Sequence, residues 1–382
     1  MMCKRKILLI TERRADYSRF KPILKLINKS KYLDYILVVT GTHLLKNHGK
    51  TINEIKKDKF RIDYKIKSFS SSKNADDGEN MVVAIGNILK KISLIIKKSK
   101  PDIILTGFDI GANFALTVAG AHLNIPVAHI QGGEVTGSID ESLRHSMSKF
   151  SNYHLVANLD AKKRLIKMGE QKNKIFIVGC PSLDALFQEK VLPDDEINRR
   201  FKIDCKKLFF IVIQHPVTTE HKLSKNQILE TIHAIKKTKA QALFILPNND
   251  SGHLNIVNEI RKNNLNWSES LSLSEYRSLL MKASILIGNS SSGIHEAASF
   301  RLPVINIGSR QNGRLQPKNV TNVDYNRKNI LNKIKFCLNN HKYTNSLKKL
   351  QNPYGDGNSA HKIIKVLKKI NLLETTQKKN SY

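Results

Sequence analysis

Four kinds of feature are scarce or missing in this chain, and each absence removes a class of protein. Only four cysteines occur in 382 residues, Cys3, Cys180, Cys205 and Cys337. They are scattered, with no CxxC pair, so neither a zinc ribbon nor a dithiol redox motif is indicated; reduced structural thiols in a cytosolic setting fit best. No apolar run approaches the roughly 20 residues that cross a bilayer. The basic start MMCKRKILLITERR carries only four consecutive apolar residues, 7–10, where a secretory signal needs roughly 7–15. A soluble cytoplasmic protein, with no membrane partner, is expected. Acidic residues are half as many as basic ones, 32 against 64, a formal charge of +32. Such a balance can mark a nucleic-acid binder. Yet aromatics are only 7%, the lysines are spread over helix surfaces, and no RRM, KH or zinc-finger pattern appears, so no nucleic-acid partner is expected. The same field favours an anionic ligand.

Three catalytic signatures are missing as well. No GxGxxG follows the first strand pattern, so a nicotinamide fingerprint is not indicated. No GxSxG elbow surrounds the triple serine 290–292, which argues against a serine nucleophile. The histidines show no HxxxH spacing beside a carboxylate, so no metal is expected.

What is present is a regular alternation. A length of 382 residues is too long for one ordinary core and points to two domains. Strand patterns at 6–10, 35–40, 103–106, 127–130, 153–157 and 175–178 alternate with helical ones, among them 51–57, 81–97, 112–123 and 141–150. After a connection at 180–206 a second series begins: strands 208–214, 242–246, 269–273, 285–287 and 303–307, with helices 224–237, 254–263, 274–282 and 294–300. A turn at 352–357, a last helix near 359–370 and a basic tail close the chain. This alternation predicts an α/β fold of two doubly wound domains with a ligand cleft between them. The boundaries expected are 1–180, 181–358, and a C-terminal helix and tail, 359–382, packing back on the first domain.

Candidate site residues gather at strand ends. The stretch ILIGNSSSGIHEAASFRLPVINIGSRQNGR, 285–314, reads as strand, polar turn, helix, strand. Its turn offers hydroxyls and free N–H groups at a helix start, which suit a phosphate. Ser290 and Ser291 sit there, Glu296 follows within reach of a sugar hydroxyl, and Arg310 and Arg314 could close over the same site. Helix capping alone is the simpler account of these serines. Arg14 and Ser18 follow the first strand and could also hold a phosphate. Asp109, Glu134 and Asp140 each follow a strand of the first half and could serve as general acid and base; capping is again the alternative, for Asp140 above all. His215, before Pro216, could contact a phosphate or act as an acid. His145, four residues after Glu141, could pair with it along a helix or face the ligand.

These residues also carry a resemblance. The chain resembles the hydrolysing UDP-N-acetylglucosamine 2-epimerases of the bacterial sialic and legionaminic acid pathways and of the animal bifunctional epimerase/kinase. The matching segments, in order over nearly the whole chain, are Arg14-Ala15-Asp16-Tyr17-Ser18, Gly41-Thr42-His43, Gly132-Gly133-Glu134, Ile139-Asp140-Glu141-Ser142 with Arg144-His145, His215-Pro216, Gly288-Asn289-Ser290-Ser291, Glu296, Gly308-Ser309-Arg310-Gln311 and 352–357. The resemblance implies a GT-B-like pair of Rossmann-like domains, with UDP bound by Arg14, Ser18, His215, Asn248, Ser290, Ser291, Glu296 and Arg310. It places Asp109, Glu134, Asp140 and His145 at the sugar as catalytic groups. It implies conversion of UDP-N-acetylglucosamine and water to N-acetylmannosamine and UDP, with no cofactor, by a homo-oligomer, dimer or tetramer. Two positions depart from the relatives: Ile110 stands where an arginine is common after Gly-Asp, and Gln131 where some carry Glu. A UDP-2,4-diacetamido-2,4,6-trideoxyhexose is therefore the alternative substrate. A GT-B glycosyltransferase, a non-hydrolysing epimerase and a nucleotide-sugar sensor are the competing functions.

Overall fold

The computed structural model describes residues 4–46, 49–69, 78–108, 110–136, 139–247, 252–372 and 378–381. The chain divides into two compact units. One holds Met1–Glu134, Ile139–Ala185 and Gly355–Tyr382; the other holds Val135–Ser138 and Leu186–Tyr354.

The first unit is built on seven parallel strands: β1 (Arg5–Thr11), β2 (Leu33–Val39), β3 (Tyr64–Lys65), β4 (Ile103–Gly107), β5 (Val127–Ile130), β6 (Tyr153–Val156) and β7 (Ile175–Ile177). Their spatial order is β3-β2-β1-β4-β5-β6-β7. Among the described residues the helices beside them are α1 (Arg14–Asn28), α2 (Ile52–Lys57), α3 (Gly78–Ser99), α4 (Gly111–His122), α5 (Ile139–Phe150), α6 (Leu159–Lys167) and α7 (Pro181–Phe187), the last running across the boundary between the units. The apolar run of β1 is explained by burial on both faces, as a central parallel strand requires. Ile7 and Leu9 join one core with Phe20 and Leu24 of α1. Leu8 and Ile10 point the other way, into a core with Ile88 and Ile92 of α3 and Leu116 of α4. On α3 the buried residues Ala84, Ile88, Ile92 and Ile96 recur every fourth position, one stripe of a helix.

The second unit repeats the scheme with six parallel strands, β8 (Phe209–Ile213), β9 (Gln241–Ile245), β10 (Trp267–Ser268), β11 (Ile285–Gly288), β12 (Val304–Ile307) and β13 (Val320–Val323). Their order is β10-β9-β8-β11-β12-β13. Its helices are α8 (Asp194–Phe201), α9 (Ser224–Lys236), α10 (His253–Lys262), α11 (Leu273–Lys282), α12 (Ser291–His295), α13 (Arg327–Asn339) and α14 (His341–Leu347). Helix α15 (Ser359–Lys369) belongs to the first unit. There Ala360, Ile363 and Leu367 enter the same core as α1. The Asp184 carboxylate accepts from the N–H groups of Ser359 and Ala360 at 3.0 and 2.8 Å, fixing the helix start.

In both sheets the order reverses beside the first strand, between β1 and β4 and between β8 and β11. Loops leaving the carboxyl ends of those pairs diverge, which is where doubly wound sheets hold ligands.

Several elements differ from the sequence expectation. The strand expected at 269–273 is the two-residue β10 at 267–268, because Ser272 caps α11 in a reciprocal box with Glu275 and so ends the extended segment. The helix expected at 294–300 starts at Ser291, turns at Glu296 and continues as a 3-10 turn, Ala297–Phe300. The 180–206 connection contains α7 and α8. Asp140 is not a cap: α5 starts at Ile139, and Asp140 lies in its first turn, where a carboxylate complements the helix dipole. No helix among the described residues is long and apolar enough to cross a membrane.

Candidate functional site

In the second unit β8 and β11 end side by side, Ile213 opposite Gly288. Gly288 has φ +130°, and a Cβ there would lie 2.0 Å from the Ile213 carbonyl oxygen, so only glycine lets the strands run this close. The next residue, Asn289, is fully buried and binds both backbone groups of His215. Its Oδ1 accepts from the His215 N–H at 2.7 Å and its Nδ2 donates to the His215 carbonyl at 2.8 Å. The Asn289 carbonyl accepts in turn from Gln311 Nε2 at 2.8 Å and Arg310 Nη1 at 3.3 Å. Strand-end residues 74 positions apart in sequence are thereby locked to the arginine that follows β12.

This clustering sets the charge state of His215. Burial, with the Arg310 guanidinium adding to it, pulls the imidazole down to about 3. With no anion bound, His215 is uncharged at neutral pH, with its ring free of the charge that Arg310 already supplies beside it.

Ser290 is the N-cap of α12, its hydroxyl accepting from Ser292 N–H at 3.3 Å. Ser290 thus caps the helix, while Ser291 occupies the first helical position. The Ser292 hydroxyl is hydrogen-bonded to Tyr276, whose phenol is pushed upward by burial and by nearby Glu296. Glu296 is the C-cap of the short α12. Across the turn after β12, Ser309 donates to Glu220 at 2.9 Å, and Gln227 donates to the other Glu220 oxygen at 2.7 Å. Asn248 lies outside the described residues.

In the first unit Arg14 is exposed and pairs with Glu54 at 3.9 Å, and the Ser18 hydroxyl donates to the Ala15 carbonyl at 2.8 Å. The buried groups at the end of β1 are different ones. Asp16 accepts from Thr11 Oγ1 and from the N–H groups of Glu12 and Arg13 at 2.8–2.9 Å. The Glu12 carboxylate accepts from Ala112 N–H at 3.0 Å, tying β1 to the start of α4, and burial raises its pKa.

Beyond β5 the chain makes a tight turn over 131–134. Gln131 (φ +58°) and Gly133 (φ +78°) are both left-handed. A Cβ on Gly133 would lie 2.6 Å from the Ala161 carbonyl, and one on Gly132 2.9 Å from both His129 Nδ1 and Ser148 Oγ. The turn buries the Glu134 side chain, with Gln131 Nε2 donating to its carboxylate at 3.2 Å. Two arginines hold the turn's backbone: Arg144 donates to the Glu134 carbonyl at 2.9 Å and Arg164 to the Gly133 carbonyl at 2.6 Å. Asp140 and His145 lie on the adjoining α5, half-buried. His145 faces Glu141 at 3.8 Å, yet burial still lowers its pKa. Asp109 lies outside the described residues. Among the described residues no three His, Cys, Asp or Glu side chains gather as a metal site would require.

Asn289, Tyr276, Glu220, Arg164 and Glu12 are further residues of these clusters, beyond those expected from the sequence. Glycine spacing was a signal for two of them: Gly288 and Gly41 are left-handed, and a Cβ on Gly41 would lie 2.3 Å from Glu12 Cγ. The others depend on partners remote in sequence.

Two doubly wound α/β units, one ending in a turn around a buried carboxylate and one in an arginine and serine cluster suited to an anion, make a two-domain α/β protein of GT-B-like class. The sequence model described as UDP-N-acetylglucosamine 2-epimerase matches residues 25–368, and the chain belongs to that family. It is 39% identical over 372 residues to the UDP-N,N'-diacetylbacillosamine 2-epimerase (hydrolyzing) of Legionella pneumophila, covering 96% of this chain and 97% of that one. To the UDP-N-acetylglucosamine 2-epimerase of Neisseria meningitidis it is 34% identical over 333 residues, 86% of each chain. The fold matches the crystal structure of UDP-GlcNAc 2-epimerase from N. meningitidis bound to UDP-GlcNAc with a TM-score of 0.81 at 19% identity, covering 95% and 99% of the chains. It matches the Methanocaldococcus jannaschii enzyme in complex with UDP-GlcNAc and UDP with a TM-score of 0.76 at 19% identity, covering 96% and 99%.

Proposed function

We propose that the protein is a hydrolysing 2-epimerase of a UDP-2-acetamido sugar. The observation that carries this reading is the Glu134 turn: a buried carboxylate that accepts from Gln131, on a backbone that two glycines and two arginines fix in place. A proton at C2 of an acetamido sugar is weakly acidic. A carboxylate can remove it only as the leaving group departs. In the reaction the C2–H pair becomes the C1=C2 bond, the C1–O bond breaks, and its electrons leave on the diphosphate of UDP. Water then adds its oxygen at C1 of the 2-acetamidoglycal, and a carboxyl group delivers a proton to C2 from the opposite face. The sum is UDP-sugar plus water to free 2-epimeric sugar plus UDP.

Glu134, Asp109, Asp140 and His145 are assigned to proton transfer and sugar binding. Arg310, His215, Ser290, Ser291, Glu296, Asn248, Arg14 and Ser18 are assigned to the UDP moiety. Arg310 supplies positive charge to the departing diphosphate; neutral His215 supplies a hydrogen bond.

Two sugars fit this chemistry. The Legionella relative, at 39% identity the more similar of the two named above, supports the UDP-2,4-diacetamido-2,4,6-trideoxyhexose. The Neisseria relative at 34% supports UDP-N-acetylglucosamine, giving N-acetylmannosamine. We take the diacetamido sugar as the preferred substrate. Incubating the pure protein with each UDP-sugar and following products by NMR tests both points. The reading expects UDP and a free manno-configured sugar, with the higher kcat/KM on the diacetamido substrate. A product still attached to UDP would mean a non-hydrolysing epimerase.

A further inference from the structure

Behind the Glu134 turn lies a cluster of titratable groups for which the reaction has no use. His154 on β6 is hydrogen-bonded through Nε2 to Glu170 at 2.9 Å, and both side chains are about 2% exposed or less. Glu170 also pairs with Lys149 of α5 at 3.1 Å and with Lys378 at 2.7 Å. His129 of β5, fully buried, bonds through Nδ1 to Ser148 Oγ at 3.1 Å. Burial holds both histidines neutral, while its partners hold Glu170 at about 2. A buried carboxylate of this kind stays in place only while its counter-charges do.

One of those counter-charges comes from the far end of the chain. Besides Glu170, Lys378 Nζ donates to the Ser148 carbonyl of α5 at 2.7 Å. The same terminal segment makes two more ties: Asn380 Oδ1 accepts from Lys149 at 2.8 Å and Ser381 N–H donates to the Gly169 carbonyl at 2.7 Å. From Ser148 the path to the turn is short. Its hydroxyl donates to the Arg144 carbonyl at 3.0 Å, and the Arg144 guanidinium holds the Glu134 carbonyl. The floor of the turn is the same pair of residues, since Gly132 is pressed against His129 and Ser148 with no room for a Cβ.

We propose that residues 378–381 are a strap that holds the Glu134 turn in register, with Lys378 and Glu170 as its positioning pair. The strap grips α5 at Ser148 and Lys149, and α5 passes the constraint to the turn through Arg144. The catalytic consequence rests on the assignment of Glu134 to proton transfer; the mechanical one does not.

The test compares wild type with Lys378→Met, Lys378→Arg and a chain ending at residue 377. Three quantities are read: kcat with the UDP-sugar, UDP affinity by calorimetry, and amide hydrogen exchange over 132–134 and 143–148. Lys378→Met and the shortened chain should lose roughly tenfold or more in kcat, the scale that a small misplacement of a reacting group produces. Exchange over both segments should speed up by about as much, while UDP affinity stays within about twofold. Lys378→Arg keeps the charge and should recover most of the loss. Unchanged kcat and exchange in Lys378→Met would overturn the strap. So would parallel losses of kcat, UDP affinity and protection throughout the chain, which mean general destabilisation. If the shortened chain does not fold, Lys378→Met decides. If wild type turns over neither UDP-sugar, the functional reading fails, and exchange alone still decides the strap.

Discussion

Asn289 and His215 are joined by two hydrogen bonds of opposite sense, side-chain amide to backbone, at 2.7 and 2.8 Å. The pair splices the end of β11 to the end of β8 and leaves the Asn289 carbonyl to hold Arg310 and Gln311. Of the assigned groups of the second unit's cluster, His215 is part of that splice, Ser290 and Ser291 follow it directly and Arg310 is bonded to it.

Asn289→Leu removes both bonds and strands a buried N–H and C=O. Each stranded group costs about 1–3 kcal/mol. Urea unfolding should show a loss of at least about 2 kcal/mol, and UDP affinity should fall with it. A loss under about 0.5 kcal/mol would mean the splice is dispensable.

Arg310→Ala leaves that splice intact and removes the guanidinium. A charge-assisted bond to phosphate is worth about 1.5–3 kcal/mol, so UDP should bind roughly ten- to a hundredfold more weakly. Calorimetry on a folded variant with unchanged affinity would remove Arg310 from the nucleotide site.

Much of this was legible beforehand, for physical reasons. Fully buried parallel strands must be apolar on both faces, so β1, β8, β11 and β12 stand out. Glycine-rich strand ends mark close approaches, so 131–134 and 288–293 stand out too. Polar strand β13, reading Val320-Thr321-Asn322-Val323, does not. Nor do α6 and α13, whose apolar positions are interleaved with lysines and arginines. The site's internal wiring was hidden in a stricter sense: Glu170–Lys378, Asn289–His215 and Glu12–Ala112 are meetings of residues remote in sequence, and no local pattern encodes them. The high positive charge was legible in size, but its lysines serve partly as internal struts, as Lys149 and Lys378 show.

Acid should unfold the protein in a defined way. His215 is held at about 3 against an ordinary 6.5, so below about pH 6.5 the unfolded chain takes up a proton that the folded chain refuses. His129 and His154 are shifted in the same direction. Glu170, held at about 2, adds stability that is complete above its ordinary 4.5 and is lost as pH falls toward 2. Stability should therefore decline continuously from about pH 6.5 downward, by up to about 1.4 kcal/mol per pH unit for each such histidine. Urea unfolding at several pH values checks this. His215→Gln should show a shallower decline than wild type; identical slopes would mean that His215 titrates normally in the fold.

The central claim is that the sugar loses its C2 proton as UDP leaves and gains another as water adds. Running the reaction in D2O and reading the free sugar by NMR tests it directly. The account predicts deuterium at C2 of the released manno-configured sugar from the first turnover, with the signal lost when Glu134 is changed to Gln while UDP still binds. A free sugar that keeps its original C2 proton would contradict the account and leave simple hydrolysis or glycosyl transfer in its place.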